Sequence, residues 1–475
     1  MNERSRDFPR RAPPPGIGAK PYGRDRKPKD GPARDKKTDR PPVALPGMAS
    51  RQAALDILNL VRNGAALDEA LDRCRSFDAL EGADRKFARA LATTVLRRQG
   101  ALDHVIGAYL NRPLPKRAAR VGDILRLAAA QSLFFETPDH AAVSLATEIA
   151  KRYEETKGYE GLINAIARKI AKAGPDAVAS LPPRVDTPGW LWRAWERAYG
   201  PQKTRAIAAA HENPAPLDLT PQDASKLEAL GDDLGAEIVL GASLRLRVPG
   251  PLTELAGFAE GAWWVQDAAA AVPARLLGDI AGKTVFDLCA APGGKTMQLA
   301  AARSRVIAVD QSGPRLKRVQ ENLERVGLRA ETVKEDVLAW EPARLADAIL
   351  LDAPCSATGT IRRHPDILRS KTEDDVRALV ALQAAMIDKA VALLRPGGTL
   401  VYATCSLQSE EGERQASAAL SRHETLSRLP VQAGEVGGLD EAITRDGDLR
   451  FLPSMLADQG GIDGFFAARF VKAAT

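Results

Sequence analysis

Between residues 47 and 175 the apolar positions recur with the period of a helix. In RQAALDILNLVR, Ala54, Ile57, Leu58 and Val61 fall at i, i+3, i+4 and i+7, so one helical face carries all four. DRKFARALATTVLRR and AAVSLATEIAKRY repeat the pattern, and Gly, Pro and Asp breaks separate the segments without a β-rich run. Such helices must bury their faces against one another, which predicts an independent all-α bundle over 47–175. GPDAVASLPPRVDTPGW, rich in Pro and turn formers, reads as a linker. WLWRAWERAYG predicts a short helix, and short strands and helices alternate after it, giving linker and small α+β module over 176–262.

From residue 284 onward the two periods alternate regularly. TVFDLCAA, RVIAVD, DAILLD and GTLVYATC are short, apolar, β-rich runs, while PRLKRVQENLERVG and DDVRALVALQAAMIDKAVALL between them are amphipathic. This alternation calls for a mostly parallel sheet with helices on both faces, an α/β Rossmann-like domain over 263–475. Ligands of such sheets bind at the carboxyl ends of the strands. A multidomain chain is also what 475 residues require, because single cores stop growing beyond about 250–300 residues.

Charge changes the picture once it is located. The formal net charge is +6, but residues 1–46 hold 13 Lys and Arg against 6 Asp and Glu, and the rest of the chain holds 54 against 55. The segment RRAPPPGIGAKPYGRDRKPKDGPARDKK cannot bury a core, so 1–46 is expected to be a disordered basic tail that attracts phosphates loosely or simply solubilises the chain. In the helical region Arg85, Lys86, Arg89, Arg97 and Arg98 can track a phosphate backbone, and equally read as solvated helix faces. Trp190, Trp192 and Trp195, beside Arg193 and Arg197, can stack on bases or pack a hinge. No segment approaches 18 uninterrupted apolar residues, so a cytoplasmic protein without membrane contact is expected. Cys74, Cys289, Cys355 and Cys405 have neither disulfide nor zinc spacing, so no metal is expected and the thiols are free for chemistry.

The candidate chemistry collects at the strand ends of the last domain. DLCAAPGGKT feeds a strand into the turn Cys289, Ala290, Ala291, Pro292, Gly293, Gly294 and Lys295, and then into a helix. Glycines let backbone approach a ligand, and the helix start offers free N–H groups to a carboxylate. Asp310, closing the second strand, suits both hydroxyls of a ribose, while the G-x-G-x-x-G fingerprint of dinucleotide folds is missing. Asp336, after AETVKE, can accept from an adenine amino group or cap a surface helix. LLDAPCSATGT puts Asp352 and Cys355 just after the fourth strand, and VYATCSLQSEE puts Cys405 at the end of the fifth. Both strands end at one sheet edge, so both thiols can face one pocket, as nucleophilic thiol chemistry requires.

Residues 263–475 resemble the Sun family of RNA cytosine-5 methyltransferases through WWVQDAAAA, DLCAAPGGKT, VIAVDQSGPRL, DAPCSATGTIRRHPDI, YATCSLQSEEGE and DGFFAARF. The helical region resembles the NusB-like RNA-binding fold through DRKFARALATTVLRR, ETPDHAAVSLATEIAK and INAIARKIA. The resemblance implies that Cys289 to Lys295, Asp310, Asp336 and Asp352 bind S-adenosylmethionine, that Cys405 is the nucleophile, and that Cys355 aids product release. Cys289 is then part of the turn rather than a third catalytic thiol. The combination of domains is similar to family members that methylate 16S ribosomal RNA, which implies that RNA or a small-subunit assembly intermediate as partner. The chain departs from the family where PAPLDLTPQ (214–222) replaces a Leu-Arg-Val-Asn run and where Ala357 replaces a common Gly.

Carbon 5 of cytosine is a poor nucleophile. A thiolate added to carbon 6 makes it enamine-like, and Asp352 can hydrogen-bond ring nitrogen 3 or the amino group as charge develops. The target base must be single-stranded or flipped out. A DNA cytosine-5 methyltransferase would attack with the cysteine of Pro-Cys, here Cys355; the second strand-end cysteine and the lack of Glu-Asn-Val argue against that reading. A binding factor that had lost activity would not need the two thiols, Asp352 and the glycine turn together.

Overall fold

Eight helices run from Met48–Arg62 to Glu160–Ala173 among the residues described by the computed structural model, which are 45–247 and 250–474. The face anticipated for the first helix turns inward, with Ala54, Ile57 and Leu58 buried and Val61 at the edge. It shares one apolar core with Leu91 and Val95 of Gly82–Arg97, Ile124 and Leu125 of Ala119–Phe134, and Ile163, Ile166 and Ile170 of Glu160–Ala173. Apart from Leu45 and Pro46, the basic tail expected over 1–46 lies outside the described residues. No helix among the described residues is long and apolar enough to cross a membrane.

The Pro-rich stretch after the bundle is pinned rather than loose. Asp186, buried at the end of a single 3-10 turn, accepts from Ala101 N at 2.8 Å and from Arg98 Nε at 2.9 Å. The helix Gly189–His211 follows, kinked where Gly200 leaves helical geometry ahead of Pro201. Its Trp192 and Trp195 are buried, and Trp195 packs on His211 with ring centroids 5.4 Å apart. These two indoles are therefore core packing, not platforms for bases.

Strands β1 (Leu217–Pro221), β2 (Glu237–Val239), β3 (Ser243–Leu246) and β4 (Trp263–Val265) form an antiparallel sheet in the order β2-β3-β1-β4. β4 comes from beyond residue 262, so the small sheet draws its last strand from the start of the next segment. PAPLDLTPQ, the stretch that departs from the family pattern, supplies β1. Its Asp218 makes a bidentate pair with Arg245, at 2.7 and 2.8 Å, in which both side chains are almost fully buried. Asp218 also accepts from Ala268 N, and Arg245 donates to the carbonyl oxygens of Gln459 and Gly461, so the pair ties this sheet to the last domain.

That domain is built on β5 (Thr284–Leu288), β6 (Arg305–Val309), β7 (Glu331–Val333), β8 (Ala346–Asp352), β9 (Leu394–Thr404), β10 (Leu426–Arg428), β11 (Leu449–Phe451) and β12 (Phe465–Lys472). The order is β10-β12-β9-β8-β5-β6-β7, with β11 on β12. The pairs from β9 to β7 are parallel, and β12 runs antiparallel to its neighbours. Central strands such as AILLD and LVYAT are buried on both faces, which explains their unbroken apolar character. Helices begin where the local chemistry demands: Thr372 and Asp375 form a reciprocal capping box for Glu373–Leu393, and Ser312 with Pro314 opens Gly313–Arg325.

Replacing Asp218 with Ala should strand the Arg245 guanidinium in the interior and cost about 3–5 kcal/mol. Urea unfolding of the purified variant checks this; a loss below about 1 kcal/mol would refute the pairing as a structural tie.

Candidate active site

At the carboxyl end of β5 the chain turns sharply. Cys289 adopts a left-handed backbone (φ 65°), and the N–H groups of Cys289 and Ala290 both donate to Val309 O, at 2.9 and 3.1 Å. Gly293 closes the turn at φ 104°, where a side chain would be strained, and Gly294–Ala301 starts as a helix. Below the turn, Thr296 Oγ1 donates to Asp287 Oδ2 at 2.6 Å, while Asp287 Oδ1 is buried without a partner. Burial pushes the Asp287 carboxyl up to about 7. The Cys289 thiol is pushed up to about 12, first by burial and then by the charges of Asp352, Asp310 and Asp287.

Asp310, buried just beyond β6, accepts from Ala291 N at 3.2 Å and Ser312 N at 2.9 Å, so its carboxylate braces the glycine turn from the neighbouring strand. Asp336 is exposed and gives one oxygen to Leu338 N at 3.0 Å, a cap on the turn it begins. Asp352, the last residue of β8, is half-exposed and accepts from Lys295 Nζ at 2.7 Å. Lys295 lies 5.0 Å from the Phe465 ring centroid. Burial pulls the Lys295 ammonium down, but Asp352, the Cys405 sulfur and Asp287 together raise it above its usual value.

Cys355 and Cys405 meet with their sulfur atoms 3.5 Å apart. Their contact and burial raise Cys355 well above the ordinary thiol range, with the charges of Cys405 and Glu411 adding to this. Cys289 stays in the turn, and Cys74 is buried in the helical bundle.

Sequence reasoning missed the residues behind this pair. Ser356 follows Cys355, Ser406 follows Cys405, and both hydroxyls donate to one oxygen of buried Glu411 at 2.5 Å. The repeated Cys-Ser dipeptide was the available signal; nothing in the pattern pointed to Glu411 as the acceptor. The turn after Cys355 also bears on β12: a Cβ on Gly359 would lie 1.9 Å from Gly464 O. Ala357 sits at φ 56°, which accounts for Gly being favoured there.

The segment after Cys355 is also held by the helical region. Arg97 Nη2 donates to Arg362 O at 2.7 Å, Leu67 N donates to Asp366 Oδ2 at 3.2 Å, and Arg369 donates to Asp186 O at 3.4 Å. Burial, with the Arg362 and Arg98 charges, lowers Arg97 to about 10. Of the five cations considered for a phosphate track, Arg97 is thus internal, Arg98 pairs with Asp186 and Glu212, and Arg85 donates to the carbonyl oxygen of Phe77. Lys86 and Arg89 remain exposed.

The sequence profile of the family described as 16S rRNA methyltransferase RsmB/F matches residues 274–471, and that of the NusB family matches 48–172. Ribosomal RNA small subunit methyltransferase B of Pseudomonas syringae pv. tomato is 35% identical over 446 residues, 90% of this chain and 98% of that protein. The protein of that name from Vibrio cholerae is 37% identical over 390 residues, 78% and 88% of the two chains. The crystal structure of PH0851 covers the same fold with a TM-score of 0.72 at 23% identity, over 90% of this chain and 100% of that one. The sheet order and these relatives define an S-adenosylmethionine-dependent RNA methyltransferase acting on ribosomal RNA. Within that class, the chain belongs to the RsmB/F family of 16S rRNA methyltransferases and carries a NusB domain at its N-terminal side.

The buried Asp287 gives a pH signature. An unfolded Asp titrates at about 3.9, so the folded protein holds an extra proton up to about pH 7 and should lose stability as pH rises through that window. Asp287→Asn should flatten this slope in urea midpoints measured between pH 5 and 8; a variant with the wild-type slope would refute the assignment.

Proposed function

We propose that this enzyme methylates carbon 5 of a cytosine in 16S ribosomal RNA, with Cys405 adding covalently to carbon 6 and Cys355 assisting release. The observation that carries the reading is the contact of the two strand-end thiols, 3.5 Å apart, at the sheet edge that also bears the Lys295–Asp352 pair.

The donor set of the neighbouring cradle suits S-adenosylmethionine. In this reading the turn from Cys289 to Lys295 offers backbone and a helix start, Asp310, which braces that turn, serves the ribose hydroxyls, Asp336 serves the adenine edge, and Asp352, paired with Lys295, completes the cradle. Asp287 Oδ1 leaves an unpaired acceptor beneath the turn. When bound, the cofactor supplies an electrophilic methyl group.

The residues of the chain do the rest. Cys405 is the attacking sulfur, with the Lys295 ammonium facing it and the Cys355 thiol in contact with it. As its sulfur bonds to carbon 6, an electron pair moves onto the cytosine ring. Lys295 stabilises that charge, and Asp352, held by Lys295, accepts from the exocyclic amino group and fixes the base. After methylation carbon 5 carries a proton that must leave before the carbon–sulfur bond can break. Cys355, having released its own proton to solvent, takes the carbon-5 proton as a thiolate, and Cys405 then leaves as the thiolate that began the cycle, so one proton is released per methyl group.

With an RNA containing 5-fluorocytosine, which has no carbon-5 proton to lose, the wild-type enzyme should form a stable adduct visible on a denaturing gel. Cys405→Ala should form none and lose about 10⁴-fold or more of its methylation rate. Cys355→Ala should still form the adduct but turn over slowly. The reverse pattern would move the nucleophile to Cys355. Bisulfite sequencing of ribosomal RNA from cells with and without the gene checks the substrate; an unchanged 16S pattern would overturn it.

A further inference from the structure

The parallel ladder between β8 and β9 ends at the pairing of Asp352 with Ala403, followed by one last bond from Ala353 N to Ala403 O. Both cysteines therefore lie beyond the ladder, on turns with no regular pairing of their own. Between these turns stands Glu411, fully buried. Its Oε1 accepts from Ser356 N at 2.8 Å and Gln383 Nε2 at 3.0 Å; its Oε2 accepts from the hydroxyls of Ser356 and Ser406, each at 2.5 Å. All four donors are neutral, and the nearby Arg450 is paired with Glu413 instead. An ionised carboxylate offers acceptor sites only, so four donors converging on two oxygens match its capacity. The Glu411 backbone is fixed in turn, since its carbonyl accepts from Tyr402 OH on β9 at 2.6 Å.

We propose that Glu411 is a positioning residue for catalysis: by binding the serine after each cysteine, it sets the separation and mutual orientation of the Cys355 and Cys405 thiols. A carboxylate isolated in the interior without a cation is costly, and here that cost is met by two donors from Ser356, one from Ser406 and one from Gln383. Four more contacts join the turns: Gly359 N donates to Cys405 O and Leu407 N to Thr358 Oγ1, both at 2.9 Å, and Ser406 Oγ lies 3.1 Å from Ser356 Oγ and 3.3 Å from Thr358 Oγ1. Of these only the serine–serine contact reaches the residue after Cys355, so deleting the carboxylate leaves Ser356 N without a partner and that single hydroxyl contact to hold the two cysteine-bearing ends together. Gln at this position can preserve the arrangement. Its amide oxygen takes the two nitrogen donors, and its amino group donates to both serine hydroxyls once they reverse.

The consequence for methyl transfer rests on the two thiols being the reacting pair, but their spacing can be read without any methylation. Diamide oxidises a close thiol pair to a disulfide; it takes up two electrons and two protons as its azo group becomes a hydrazine. Mass spectrometry of the Cys355–Cys405 peptide pair then reports the closure rate in wild type, Glu411→Ala, Glu411→Gln and Ser406→Ala, with folding followed by circular dichroism. Closure in Glu411→Ala should slow by about tenfold or more, and kcat should fall by about 10²-fold while the KM for RNA holds. Glu411→Gln should restore most of both, and Ser406→Ala should slow closure by about threefold. Unchanged closure in folded Glu411→Ala would overturn the proposal. If that variant does not fold, Ser406→Ala decides alone: slower closure supports the clamp and wild-type closure overturns it. Slower closure with undiminished methylation would uphold the clamp and overturn the role assigned to the thiols.

Discussion

Asp352 lies opposite Ala403 in a parallel pair, and that register decides where two thiols emerge. A slip of one residue would reverse every side chain of one strand, sending Leu350 and Ile349 to the wrong faces and carrying one cysteine away from the other. The apolar cores on both faces of the sheet prevent this, because β8 and β9 are buried throughout their central residues. The register also delivers Asp352 to the edge at which the helix after β5 presents Lys295, so a helix lysine and a strand-end carboxylate meet at 2.7 Å. The geometry of the site is in this sense a by-product of packing two strands that never touch solvent along most of their length.

Electrostatics around that edge is a balance rather than a single pair. Asp287, Asp310 and Asp352 crowd the cradle, and each raises the Cys289 thiol. Lys295 answers Asp352 while also facing Cys405, and Arg315 answers Asp310 at 3.6 Å. Asp287, deepest and without a cation in contact, is pushed towards neutrality, and Cys355 is raised well above the ordinary thiol range. Burial does most of this sorting, which is why the same residue type behaves differently a few ångströms away.

Much of the architecture was legible because period and turn chemistry report which face of an element is buried. Ala54, Ile57 and Leu58 turn inward as their spacing requires, and four short apolar runs become the central parallel strands. What period cannot report is the partner. The antiparallel placement of β12 between β9 and β10, the use of β4 in the smaller sheet, and the pinning of the Pro-rich stretch by Asp186 all depend on contacts across large sequence distances. The same blindness applied to charge: Arg97 and Arg98 look like surface cations on a helix, but one is swallowed by the domain junction and the other neutralised there. At the candidate site, strand-end position singled out the cysteines and Asp352. Glu411 escaped notice because its meaning lies in four donors drawn from three separate segments.

The junction between the helical region and the segment after Cys355 bears on how a large RNA can be handled. Leu67 N, Arg97 and the Asp186 carbonyl all reach onto residues 362–369, a short walk along the chain from one of the two thiols. Hinged opening of the two halves would have to break these bonds and expose Arg97 and Asp366, both of them buried. The two halves are consequently spliced at this segment: a substitution in the helical region that loosens Arg97 or Leu67 would be felt a few residues from a thiol.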